Sequence, residues 1–308
     1  MIKVGILGAE SSVAGELIRI LLHHQDVELT TAYAPTLRGR ALSSIHRGII
    51  GDTDLRFTDT VDLSDLDVVF LTSPQKYISH TELPDDLRVI VIQEDDNFQV
   101  EPPFDTLEYV PGVSEMFRKP LVRGAKASRI LPAATTLALI ALFPLALHLL
   151  LNDQLRLKVC LPQFKADGFS GEDMTRELET LLHQVQLSFN RIQGVELEIS
   201  ETLRALSVEI ELPCSVSEEE IERIYDSIYD DHNFTFMMRT DPSPAEVAGT
   251  HKCLLYISKP EENILRVKAV ADSVLRGGAG DAIHAMNLLF GLFEKIGLSL
   301  PAGLAFKP

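Results

Sequence analysis

A chain of 308 residues, 45% of them hydrophobic and 24% charged, is long enough for two globular domains and too apolar to stay disordered. Its net charge of −17 makes it a poor partner for a phosphate backbone, which is bound through clustered Lys and Arg, so nucleic acid is not expected as a partner. Cys160, Cys214 and Cys253 are far apart, odd in number and without metal-type spacing. No disulfide framework and no metal site is expected, and a reducing, cytoplasmic location fits.

The opening residues carry no long apolar run of the signal-peptide kind and lead directly into a strand at residues 2–7. Residues 14–24 read as an amphipathic helix, with Leu17, Ile18, Leu21 and Leu22 at helical spacing, and a second strand follows at 27–32. Strand, turn, helix and strand in about 30 residues is the βαβ unit of a doubly wound sheet. Residues 67–72 and 89–92 are apolar strands suited to the middle of a parallel sheet. The first of them ends near Pro74, and ligands of such sheets lie outside the carboxyl ends of the strands.

Residues 131–151 have about the length of a membrane span. Pro144 and His148 interrupt them and no basic cluster flanks them, so a helix buried inside a domain is the better reading and no membrane association is expected. Beyond them, strands at 155–161, 196–199, 205–212, 252–258 and 264–271 and a helix at 173–188 make an α+β domain of largely antiparallel character. Ser217, with Glu220 three residues later, reads as a capping box opening another helix. The last helix, 281–290, follows the glycine-rich turn Arg276 to Gly280.

Three segments together resemble the N-acetyl-γ-glutamyl-phosphate reductase family. Gly5-Ile6-Leu7-Gly8-Ala9 with Gly15-Glu16-Leu17 is similar to its opening glycine-rich turn. Leu131-Pro132-Ala133-Ala134 stands where the family has Asn-Pro-Gly-Cys before an Ala/Leu-rich helix. The stretch Asp272 to Leu292 resembles its Asp-Asn-Leu and Gly-Ala-Ala-Gly run ending in Met-Asn-Leu-x-Phe-Gly-Leu, and Gly249 to Cys253 looks like its Gly-Ser-Asn-x-Cys. The likeness covers nearly the whole chain, loosely between residues 35 and 130.

The resemblance implies an NADP-dependent oxidoreductase of arginine biosynthesis, related in architecture to aspartate-semialdehyde dehydrogenase. It further implies an α/β, glyceraldehyde-3-phosphate dehydrogenase-like fold. A Rossmann-type nucleotide-binding domain (residues 1–132 with 273–308) would carry an inserted α+β catalytic and dimerisation domain (133–272). A homodimer or homotetramer is implied with it. The cofactor positions it suggests are Gly8, Glu10, Ser11, Ser12, Val13, Arg38, Pro74, Gly277, Gly280 and Asn287, with Arg40 an alternative to Arg38 for a 2′-phosphate. Arg204 falls at a substrate-binding position.

The chemistry of the family needs a thiolate that displaces phosphate from an acyl phosphate before hydride arrives from NADPH. That position is Ala134, which has no nucleophilic atom. Thr135 and Thr136 beside it carry hydroxyls far less acidic than a thiol, and Cys253 is the one remaining thiol in a family-like context. The family's histidine run falls at Gly171 to Glu177, where no histidine stands; His183 reads as a polar-face residue. In the nucleotide turn Ser11 and Ala14 replace glycines and Gly15 comes one place late. Glu10 is expected to cap the helix in the phosphate's stead, because a carboxylate satisfies the helix dipole and repels pyrophosphate. The acid run from Gln93 to Phe98 opposes anions in the same way. Two functions follow: a non-catalytic paralogue that keeps the fold and associates with itself, with an active reductase or with a small ligand, or an active NADP-dependent reductase of N-acetyl-γ-glutamyl phosphate or a related acyl phosphate.

Overall fold

Apolar runs bounded by turns become the strands of two separate sheets, in a computed structural model that describes residues 1–73, 82–93 and 99–302. In chain order the first elements are β1 (Ile2–Leu7), α1 (Ser12–Leu21), β2 (Val27–Tyr33), β3 (Val68–Leu71), β4 (Arg88–Ile92), β5 (Tyr109–Pro111), α2 (Ser114–Val122), β6 (Ala127–Ile130) and α3 (Ala133–Leu147). There follow β7 (Arg156–Pro162), α4 (Gln163–Ala166), α5 (Gly171–His183), β8 (Gly194–Ser200), β9 (Ala205–Pro213), α6 (Glu218–Tyr229), β10 (Thr235–Met238), β11 (Cys253–Glu261), β12 (Ile264–Asp272) and α7 (Ala279–Leu289).

One unit comprises Met1–Leu131 with Gly278–Ser299. Its sheet runs β2-β1-β3-β4-β6-β5, every pair parallel. β3 and β4 are buried along nearly their whole length, as central strands covered on both faces must be. The strand order reverses between β1 and β3, the switch point at which such sheets bind ligands. The last helix, α7, packs in this unit against α1, α2, β4 and β6. The doubly wound, Rossmann-type architecture expected from the sequence is therefore present.

The other unit is built from Pro132–Gly277. Its sheet runs β10-β11-β12-β9-β7-β8, antiparallel from β11 to β7 and parallel at both edges, so it is mixed. One face is laid under α3, which also touches α5 and α6. On the open face, register sets Lys158 beside Glu209 and Glu209 beside Lys268, and sets Arg156 beside Glu211 and Glu211 beside Arg266. Opposite charges thus alternate across three strands, which suits a wet surface.

α3 is apolar on all sides and buried on nearly all of them, with 13 of its 15 residues buried. It stops at Leu147, short of the expected Leu151, and among the described residues no helix is long and apolar enough to cross a membrane. α6 opens as expected at Ser217, whose Oγ accepts from Glu220 N–H at 3.3 Å. The return half of the capping box is replaced: the Glu220 carboxylate pairs with Arg223 one turn on.

Candidate functional site

The turn between β1 and α1 is shaped by residues that no larger side chain could replace. Gly8 sits at φ +88°, and a methyl group there would collide with Ser73 Oγ and stand 2.8 Å from Thr72 Oγ1. Thr72, at the end of β3, donates to the Gly8 carbonyl at 2.7 Å and ties the turn across the switch point. Ser11 is the N-cap of α1, its backbone extended and its Oγ accepting from Ala14 N–H at 3.1 Å. This corrects the expectation for Glu10. A short hydroxyl one residue nearer the helix reaches the third N–H, as serine does at N-caps, and leaves the Glu10 side chain exposed.

Ser12 and Val13 form the first positions of α1. Among the described residues the backbone N–H groups of Glu10 and Val13 have no acceptor. Two open donors beside a left-handed glycine, at a helix N-terminus, make a cradle that fits one phosphate group of a dinucleotide.

The remaining expected cofactor positions are less uniform. The Arg38 guanidinium is 73% exposed and pairs with Asp59 at 2.9 Å, so a 2′-phosphate would have to share it with a carboxylate. Pro74 and residues 94–98 of the acid run lie outside the described residues; Gln93 accepts from Arg129 at 3.1 Å. Gly277 takes φ +65°, and Gly280 is buried in the first turn of α7. Asn287 is committed elsewhere: its Nδ2 donates to the carbonyls of Glu294 and Ile296, and its Oδ1 receives His24 Nε2 at 3.1 Å.

In the other unit, Ala134 occupies the first turn of α3 and is buried, as are Thr135 and Thr136. Cys253, at the start of β11, is fully buried, and Cys214 nearly so. Cys160, on β7, is partly exposed, and burial pushes its thiol up, against a smaller opposing effect of a hydrogen bond with Ser200. Two thiols are thus buried and the third is pushed up, whereas reactive cysteines are exposed and acidified. His183 is exposed, with Nδ1 3.0 Å from the Phe189 carbonyl.

Arg204 grips Asp272 with Nε at 2.8 Å and Nη2 at 3.2 Å. Asp272 is completely buried and also accepts from the N–H groups of Gly249, Val274 and Leu275. The resemblance read Arg204 for substrate; the structure uses it to neutralise this carboxylate.

Two groups of residues were missed from the sequence. His46 donates from Nε2 to the Ala9 carbonyl at 2.6 Å, on the nucleotide turn itself, from a segment where the family likeness is loose. Around α7, His284 lies with Nε2 2.8 Å from Glu294 and Nδ1 3.2 Å from Ser114, and Arg118 holds the other Glu294 oxygen at 2.6 Å. Chiefly through His284, with Arg118 adding to it, the Glu294 carboxyl is held down at about 2.

Known proteins align with this chain over most of its length. The family model described as "Semialdehyde dehydrogenase, NAD binding domain" matches residues 3–121. The N-acetyl-gamma-glutamyl-phosphate reductase of Parabacteroides distasonis is 31% identical, over 97% of this chain and 98% of that protein. Those of Phocaeicola vulgatus and Christiangramia forsetii are each 28% identical, over at least 97% of both partners. Among solved structures, aspartate semialdehyde dehydrogenase with NADP from Candida albicans superimposes with a TM-score of 0.66 at 14% identity, over 94% of this chain and 98% of that one. The Francisella tularensis enzyme gives 0.65 at 13%, over 94% and 100%. At such identities the structures speak for the fold alone.

Proposed function

Because the chain belongs to the N-acetyl-gamma-glutamyl-phosphate reductase family, we propose that it is a non-catalytic member that retains the nucleotide turn and has lost the covalent step. The observation that carries this reading is the methyl group of Ala134 at the start of α3, where the family's resemblance calls for sulfur, with Cys214 and Cys253 buried and the Cys160 thiol pushed up. An acyl phosphate cannot be converted to a thioester without a nucleophile.

The nucleotide reading rests on this chain's own groups. Gly8 lets the backbone come close, the N–H groups of Glu10 and Val13 would hold a phosphate oxygen, and Ser12 and the N-terminus of α1 would add the helix dipole. Arg38 would meet a 2′-phosphate. NADPH would bring hydride to such a site. Assembly into a homodimer or homotetramer, or with an active reductase, is part of the same reading and rests on the family likeness alone.

A coupled assay with N-acetyl-γ-glutamyl phosphate and NADPH tests the proposal, with Ala134→Cys run beside the parent. The expected outcome is no turnover by the parent; steady NADPH consumption by it would reject the reading. The second function, an active NADP-dependent reductase of that or a related acyl phosphate, is favoured by the preserved turn at Gly8 and would stand in that event.

A further inference from the structure

We infer that His46 is a positioning residue of the nucleotide turn, which anchors the Ala9 carbonyl and so fixes the turn from which the Glu10 and Val13 N–H groups meet a phosphate oxygen. The inference rests on the nucleotide reading above.

In an α-helix each N–H donates to the carbonyl four residues back, and the carbonyl four back from Val13 is Ala9. One more turn of helix would consume both groups. Instead Ala9 O accepts from His46 Nε2 at 2.6 Å, while Ala14 N–H is taken by Ser11 and Gly15 N–H by the Ser11 carbonyl. Val13 is the donor left over.

The imidazole is held on several sides. Short 3-10 turns, Leu42–Ser44 and Arg47–Ile49, flank His46, whose own N–H donates to the Leu42 carbonyl at 3.0 Å. Its ring lies 6.2 Å from that of buried Phe57, tilted by 56°. Its other nitrogen faces Gly15, where a methyl group would stand 2.5 Å from Nδ1. Glycine is a poor helix former, and its presence inside α1 is explained by the space the ring needs. Gly15 and His46 are thus complementary parts of one device, 31 residues apart in the chain.

The test is fluorescence titration of the full chain with NADPH, and competition by adenosine 2′-monophosphate, which lacks the pyrophosphate. His46→Ala is expected to raise the NADPH Kd about tenfold, the loss of roughly one hydrogen bond's ordering, with adenosine 2′-monophosphate unaffected. His46→Gln, whose amide can still donate to Ala9, is expected to recover most of the affinity. Gly15→Ala is expected to lower the melting temperature of the parent but to raise it in a His46→Ala background, where alanine's helix preference is no longer opposed by the ring. Equal NADPH affinity in parent and His46→Ala overturns the inference and leaves the nucleotide reading intact. A parent that binds no NADPH overturns both.

Discussion

Asp272 shows how much one buried charge demands. Its carboxylate accepts from three backbone N–H groups and a two-pronged Arg204, and it has no exposure to water. Removing the arginine leaves a buried anion short of its counter-charge, which typically costs several kcal/mol. Arg204→Ala is therefore expected to lower stability by about 3 kcal/mol in urea denaturation. Arg204→Lys should recover only part of this, since an ammonium cannot match the planar fork. An unchanged urea midpoint in Arg204→Ala would return the residue to ligand binding. Of the site residues, Gly8 was legible in the sequence because its neighbours demand a bend at a strand end. Glu10 misled because helix-dipole reasoning weighs charge, whereas capping depends on reach, and Ser11 reaches. His46 was invisible because its partner on the turn is a backbone carbonyl, which leaves no trace in side-chain patterns.

At the scale of elements, α7 is held by polar ties as well as by packing. His284 and Arg118 bind Glu294 just beyond its end, and the Glu294 carboxyl is held at about 2, against an ordinary 4.5. The folded value is depressed, so the stabilisation is complete above pH 4.5 and disappears as the pH falls through 2. Glu294→Gln should cost at most about 3 kcal/mol at pH 7 and flatten the acid limb of the stability curve between those limits, as chemical denaturation at several pH values will report. His24 acts in the same direction at higher pH: burial lowers its pKa, so protonation below about 6.5 favours the unfolded chain. Elements with strong periodicity, such as β1, β3, β4, β9 and α3, could be read from sequence to within a few residues. β5, α2 and β6 could not. β5 is three residues long, α2 contains Pro120 and a non-helical Phe117, and the four residues of β6 include Ser128 and Arg129. Their pairing with buried neighbours, which no local pattern announces, makes them regular.

For the whole molecule, charge and order of synthesis have consequences. A chain of net charge −17 repels an anionic cofactor at long range, so salt should speed association where it slows it for basic proteins. Stopped-flow NADPH fluorescence is expected to show an association rate about twofold or more higher at 0.15 M than at 0.01 M salt; a falling rate would mean that local donors outweigh the global field. The helix α3, apolar on every side, has a history as well as a place. The strands that cover its sheet side, β9 and β12, begin about sixty residues or more after it ends, well behind α5, so at 5–20 residues per second a ribosome leaves that side uncovered for several seconds. In that interval an apolar flank stands open on the nascent chain, a surface of the kind that chaperones bind.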